Sequence, residues 1–97
     1  MVKAKKKFGQ NFLIDSQIIK LIVDEIKFSE TTKYLEIGPG MGALTSELQK
    51  KTKNLDLIEI DPDMIKILRA KINSYTQLFE GDVLGFDDNF FEGYNVV

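Results

Sequence analysis

Histidine, cysteine and tryptophan are absent from these 97 residues, and proline occurs only twice. Without cysteine there are no disulfides and no thiolate metal sites. Without histidine the commonest general base and the commonest metal ligand are missing too, so no metal site is expected. No run of about 18 apolar residues occurs, so no membrane span is expected. The basic start leads into polar, helix-patterned sequence, which is not the layout of a signal peptide. Together these absences lead to the expectation of a cytoplasmic protein.

What is present suits one small soluble domain: 43% hydrophobic and 29% charged residues, with a formal net charge of −2. That charge is unevenly spread. Lys3, Lys5, Lys6 and Lys7 lie in the first seven residues with no acid among them, which leaves nine basic against fifteen acidic residues in the remainder. A basic arm ahead of an acidic body fits contact with a phosphate backbone. A merely solubilising terminus fits the charge equally well.

The chain reads as alternating strands and helices. Residues 1–15 form the basic arm and an aperiodic loop; residues 16–97 form the body. Asp15 or Ser16 caps a helix with Ile18, Ile19, Ile22, Val23 and Ile26 on one stripe. Lys33 to Ile37 reads as a buried strand, ended by Gly38-Pro39-Gly40-Met41-Gly42, and a helix follows from about Gly42 to Lys51. Leu55 to Ile60 is a second strand. Asp61 caps the next helix, with Pro62 in its favoured first position. Gln77 to Glu80 is a third strand, Leu84 to Gly93 a polar and aromatic loop, and Tyr94 to Val97 the start of a fourth strand. Right-handed crossovers make this a parallel α/β sheet with a ligand crevice at the carboxyl ends of its strands.

Every chemistry-bearing motif falls at one of those ends. Glycines in Gly38-Pro39-Gly40-Met41-Gly42 allow a sharp bend and close approach of a ligand. The run also satisfies the dinucleotide pattern G-x-G-x-x-A through Gly38, Gly40 and Ala43. Glu36 argues against a dinucleotide: a carboxylate there repels a pyrophosphate but suits the ammonium and sulfonium of a methyl donor. A tight turn with no ligand is the plainer alternative. Glu59, 21 residues after Gly38, can accept both hydroxyls of an adenosine ribose, whereas Asp61 reads as a helix cap. Asp82 can accept the amino group of adenine, with Val83 and Leu84 on one ring face and Ile60 opposite; taken alone, Gly81-Asp82 is an ordinary turn. Before the first helix, Asn11 can hydrogen-bond the donor while Phe12 and Leu13 anchor the loop, although a hydrophobic staple explains the same residues.

With Phe8-Gly9-Gln10-Asn11-Phe12-Leu13, Leu35-Glu36-Ile37-Gly38-Pro39-Gly40-Met41-Gly42-Ala43-Leu44-Thr45, Ile58-Glu59-Ile60-Asp61 and Gly81-Asp82-Val83-Leu84, the chain resembles the ribosomal RNA adenine N6,N6-dimethyltransferase family. The order and spacing match along almost the whole chain. The resemblance implies a Rossmann-like class I methyltransferase fold and S-adenosylmethionine as cofactor. It implies donor-binding roles for Asn11, Leu13, Gly38, Glu59 and Asp82, in agreement with the chemical reading; with Gln10, Glu36, Gly40, Ile60 and Val83 these are the candidate donor-binding residues. It also implies small-subunit ribosomal RNA as partner, with two neighbouring adenosines near the 3′ end each methylated twice. The Gln-Asn-Phe-Leu opening is shared with the erythromycin-resistance methylases of large-subunit RNA. Phe8-Gly9 and the Gly-Pro-Gly-Met-Gly-Ala-Leu-Thr run look closer to the small-subunit enzymes.

The family's catalytic signature, Asn-Leu-Pro-Tyr at the end of the fourth strand, is expected beyond Val97, and Asn95 is not its asparagine. The chain therefore reads as a donor-binding fragment that is itself inactive. Its first strand is expected to lack an inner neighbour, leaving an open edge for self-association. Two other classes compete: a nicotinamide dehydrogenase, and a non-catalytic module of the same fold that binds RNA or ribosomal subunits.

Overall fold

A computed structural model describes residues 15–97. Helix α1 spans Ser16–Glu25, strand β1 Lys33–Ile37, α2 Ala43–Gln49, β2 Leu55–Glu59, α3 Pro62–Lys71 and β3 Leu78–Glu80. A 3-10 turn over Val83–Gly85, a short helix α4 at Asp88–Phe91 and strand β4 at Tyr94–Val96 complete the chain. The caps account for the boundaries. Asp15 accepts from the backbone N–H groups of Gln17 and Ile18, and Asp61 from that of Asp63, with Pro62 opening α3.

The four strands are parallel, in the order β3-β2-β1-β4. From β1 the chain steps outward to β2 and β3, then returns to the far side of β1. The reversal between β1 and β4 is the switch point where open α/β sheets bind ligands. By strand alternation, Tyr34, Leu55 and Leu57 face one side. There they form the core with Ile19 and Val23 of α1, Leu48 of α2 and Leu68 of α3. The opposite side carries Leu35, Asp56, Ile58, Phe79 and Tyr94 by register. On it, the rings of Phe79, Phe86, Phe90, Phe91 and Tyr94 gather with neighbouring centroids 4.7 to 6.4 Å apart.

Two sequence expectations need correcting. The segment from Leu84 to Gly93 is not a plain loop, because Phe86 and Phe90 fold it into turn and helix by packing on Phe79. Nor is β1 an open edge: β4 pairs with it from Lys33↔Tyr94 to Leu35↔Val96, and the Val97 N–H donates to the Leu35 carbonyl at 2.8 Å. The edge on that side is β4. Its anchor is the Tyr94 hydroxyl, which donates to buried Asp56 of β2 at 2.5 Å, across β1. Burial first, then this carboxylate, holds the Tyr94 pKa above the usual tyrosine range. Among the described residues no helix is long and apolar enough to cross a membrane.

Candidate donor-binding cleft

A cleft of about 330 Å³ opens at the switch point. Glu36 and the turn Gly38-Pro39-Gly40-Met41 form its floor, with Ile22 of α1 and Val97 after β4 among its walls. The turn is possible because Gly38, Gly40 and Gly42 take φ of 68°, 59° and 87°, a left-handed region costly for other residues. The space where a side chain would stand at Gly38 and Gly40 is empty to 4 Å. Gly42 is different: a Cβ there would meet Leu68 Cδ2 at 3.0 Å, so that glycine lets α2 pack against α3.

Two buried carboxylates serve this turn in different ways. Glu59, at the tip of β2, accepts three backbone N–H bonds: Gly40 at 2.9 Å on Oε1, and Ile60 at 3.0 Å and Asp61 at 3.1 Å on Oε2. Glu36 in β1 accepts one bond, from the Thr45 hydroxyl of α2 at 2.6 Å. Burial raises the Glu36 pKa to about 7; the Thr45 bond opposes this and the charge of Glu59 adds to it. Lys71 of α3 braces the turn from outside by donating to the Met41 carbonyl at 2.8 Å.

The next strand tip adjoins this arrangement, since the Gly81 N–H donates to the Glu59 carbonyl at 2.9 Å. Asp82 follows it, exposed, and caps the 3-10 turn by accepting from the Leu84 N–H at 2.9 Å. Ile60 and Leu84 are exposed and Val83 half-buried. Thus Glu36, Gly38 and Gly40 lie in the cleft, with Glu59 hydrogen-bonded to its turn. Ile60, Asp82 and Val83 sit along the same row of strand tips but outside the cleft. Gln10, Asn11 and Leu13 lie outside the described residues.

Sequence reasoning missed Thr45, Lys71 and Val97. The one readable signal was Thr45, a hydroxyl on the buried stripe of α2 three residues before Leu48. Val97 reaches the cleft only through the β1–β4 pairing, and Lys71 only through the packing of α3 on the turn.

The family profile described as ribosomal RNA adenine dimethylase matches residues 1–92 of this chain. The chain belongs to that family. Among curated relatives, ribosomal RNA small subunit methyltransferase A of Mycoplasma capricolum is 46% identical over 87 residues, covering 89% of this chain and 33% of that protein. The protein of the same name from Pseudomonas aeruginosa is also 46% identical over 87 residues, covering 88% and 32%. The chain therefore spans about a third of the length of the curated relatives it matches. Among solved structures, a dimethyladenosine transferase from Plasmodium falciparum superposes with a TM-score of 0.66 at 27% identity, over 75% of this chain and 28% of that one. A glycopeptide N-methyltransferase solved with sinefungin shares the fold at a TM-score of 0.56 and 21% identity, over 71% and 30%. The fold is the Rossmann-like class I methyltransferase fold, and the dinucleotide-like glycine pattern is part of it.

Proposed function

We propose that the chain binds S-adenosylmethionine in the β1–β4 cleft and is the donor-binding part of an enzyme that methylates small-subunit ribosomal RNA. Each of two adjacent adenosines near the 3′ end is methylated twice on N6. One observation carries the reading: the glycine turn of a dimethylase-family chain lies at the sheet's switch point, with a buried carboxyl group, Glu36, facing the cleft. A cationic nucleoside fits that site. Gly38 and Gly40 leave room beside the backbone, and among the described residues no lysine or arginine pairs with Glu36. A pyrophosphate in the same place would meet an acid.

Bound there, S-adenosylmethionine supplies a methyl group already activated on its sulfonium. The chain's own residues hold and orient it. Glu36 faces the ammonium and sulfonium. Glu59 takes the ribose hydroxyls. A carboxylate offers about four lone-pair sites and three N–H groups already use Glu59, so holding both hydroxyls means releasing or sharing one of those bonds. Asp82 accepts the adenine amino group between Ile60 and Val83. Gln10, Asn11 and Leu13 are assigned to donor binding by sequence and family resemblance alone. Rate enhancement then rests on positioning.

The 97 residues hold no Asn-Leu-Pro-Tyr run, so on this reading they bind donor without turnover. Such a substrate places the parent enzyme in the cytoplasm. Pairing of two copies along the outer edge of β4 belongs to the same proposal, with exposed Val96 on that strand. Calorimetric titration with S-adenosylhomocysteine and with NAD tests the donor assignment. Heat with the first alone is expected, and heat with NAD alone would overturn it. Methyl transfer to ribosomal small subunits by these 97 residues would contradict the division of labour. Light scattering that reports a monomer at every concentration would remove the pairing.

A further inference from the structure

Two acids flank one turn, and hydrogen-bond donors are divided unequally between them. Glu59 accepts three N–H bonds, which take the place of the water it loses on burial. Glu36 is as deeply buried, at 5% exposure against 6%, but has one hydroxyl donor to set against its loss of water. Of two neighbouring carboxyl groups so placed, the poorly solvated one takes up the proton. Around Glu36, β2 contributes Glu59, α2 the uncharged Thr45, and α1 and the end of β4 contribute the apolar Ile22 and Val97 as fellow walls of the cleft. The nearest lysine contact on the turn, Lys71, is spent on the Met41 carbonyl.

We propose that Glu36 selects for charge in the cleft: it is neutral when no cation is present and gives its proton to solvent as a sulfonium nucleoside enters, so that donor uptake and product release are coupled to proton exchange. This rests on the donor-binding reading above and deepens it. The carboxyl O–H bond is the only one broken, and its proton goes to buffer. The resulting carboxylate meets the ligand's positive charge in a site of low polarity, where that attraction counts most. The donor carries one positive charge more than its thioether product. The carboxylate is therefore better compensated before methyl transfer than after it, and regaining the proton favours release of the product. The burial-raised pKa of about 7 places the exchange near neutrality.

The test is calorimetry of S-adenosylmethionine and S-adenosylhomocysteine binding to this chain from pH 6 to 8, in pairs of buffers with different ionisation heats. Donor binding is expected to release close to one proton at pH 6 and little at pH 8. Donor affinity is expected to rise about fivefold from pH 6 to 7 and less than about twofold from 7 to 8. The product is expected to release fewer protons than the donor. In Glu36→Gln, which keeps an acceptor for Thr45, the buffer dependence is expected to vanish and the donor's advantage over product to shrink, with a melting curve confirming the fold. Donor binding without proton release, equal release by donor and product, or an unchanged profile in Glu36→Gln would overturn the proposal while leaving the donor reading intact. No binding of either nucleoside would overturn both.

Discussion

After β1 the chain turns through Gly38-Pro39-Gly40-Met41-Gly42, and after β3 through Gly81-Asp82-Val83-Leu84, and the two turns are held very differently. The first is fixed from three sides: Glu59 takes the Gly40 N–H, Lys71 takes the Met41 carbonyl, and Gly42 packs on Leu68. The second rests on its strand through Gly81 and is closed by one side-chain bond, which the Leu84 N–H donates to the Asp82 carboxylate, with Leu84 itself 88% exposed. A site spanning both turns has a rigid end, where the reacting sulfonium would be held, and an open end, where the adenine would be received. Rigidity at the reacting end limits the reorganisation needed for transfer, and openness at the other leaves a way in.

The contrast can be broken first at Gly42. Gly42→Ala combines a left-handed backbone with a 3.0 Å approach to fully buried Leu68. Urea unfolding is expected to show a loss of about 3 kcal/mol. Next comes Glu36. Its pKa is raised in the fold from 4.5 to about 7, so the native state holds more protons than the unfolded chain between those values. The stability this proton contributes is complete below about pH 4.5 and is lost as pH rises through about 7. The loss is on the order of 3 kcal/mol. Unfolding curves across that window are expected to lose this slope in Glu36→Gln, which should be the more stable protein at pH 8. Third, Glu59→Ala strips the acceptor from three N–H groups. It should cost about 2 kcal/mol by thermal melting and abolish calorimetric binding of S-adenosylhomocysteine. Asp82→Ala, at the open turn, should cost about 1 kcal/mol or less by the same melting assay. On the proposed role it also weakens preference for adenosine over guanosine forms of the donor.

The sequence carried the regular parts well, for reasons visible in particular residues. Leu55, Leu57 and Ile58 mark the strand between Asn54 and Asp61, and Leu55–Glu59 is buried throughout, Asp56 and Glu59 included. Asp61-Pro62 starts α3 because an aspartate cap and a first-turn proline leave the chain little other choice. Glycine spacing placed the turn at the tip of β1, and topology then put it at the switch point. What stayed hidden depends on contacts distant in sequence. Phe86 and Phe90 are four residues apart, but the acidic and glycine residues around them leave too short a stretch to read as a helix, and their order comes from packing with Phe79 and Tyr94. Glu59 was legible as a strand-end acid, but its three N–H partners come from two segments that meet only in the fold. The same holds for the Thr45 hydroxyl on Glu36, nine residues away along the chain.

The claim on which all of this depends is that the donor lies along the tips of β1, β2 and β3, beginning in the switch-point cleft. Backbone amide spectra of the isotope-labelled chain, recorded during titration with S-adenosylhomocysteine, test it most directly. The expected result is saturable shifts at Gly38, Gly40, Ile60 and Asp82, with residues at the opposite end of the sheet, such as Ser29 and Lys53, left unchanged. Shifts confined to that opposite end, or spread evenly without saturation, would contradict it.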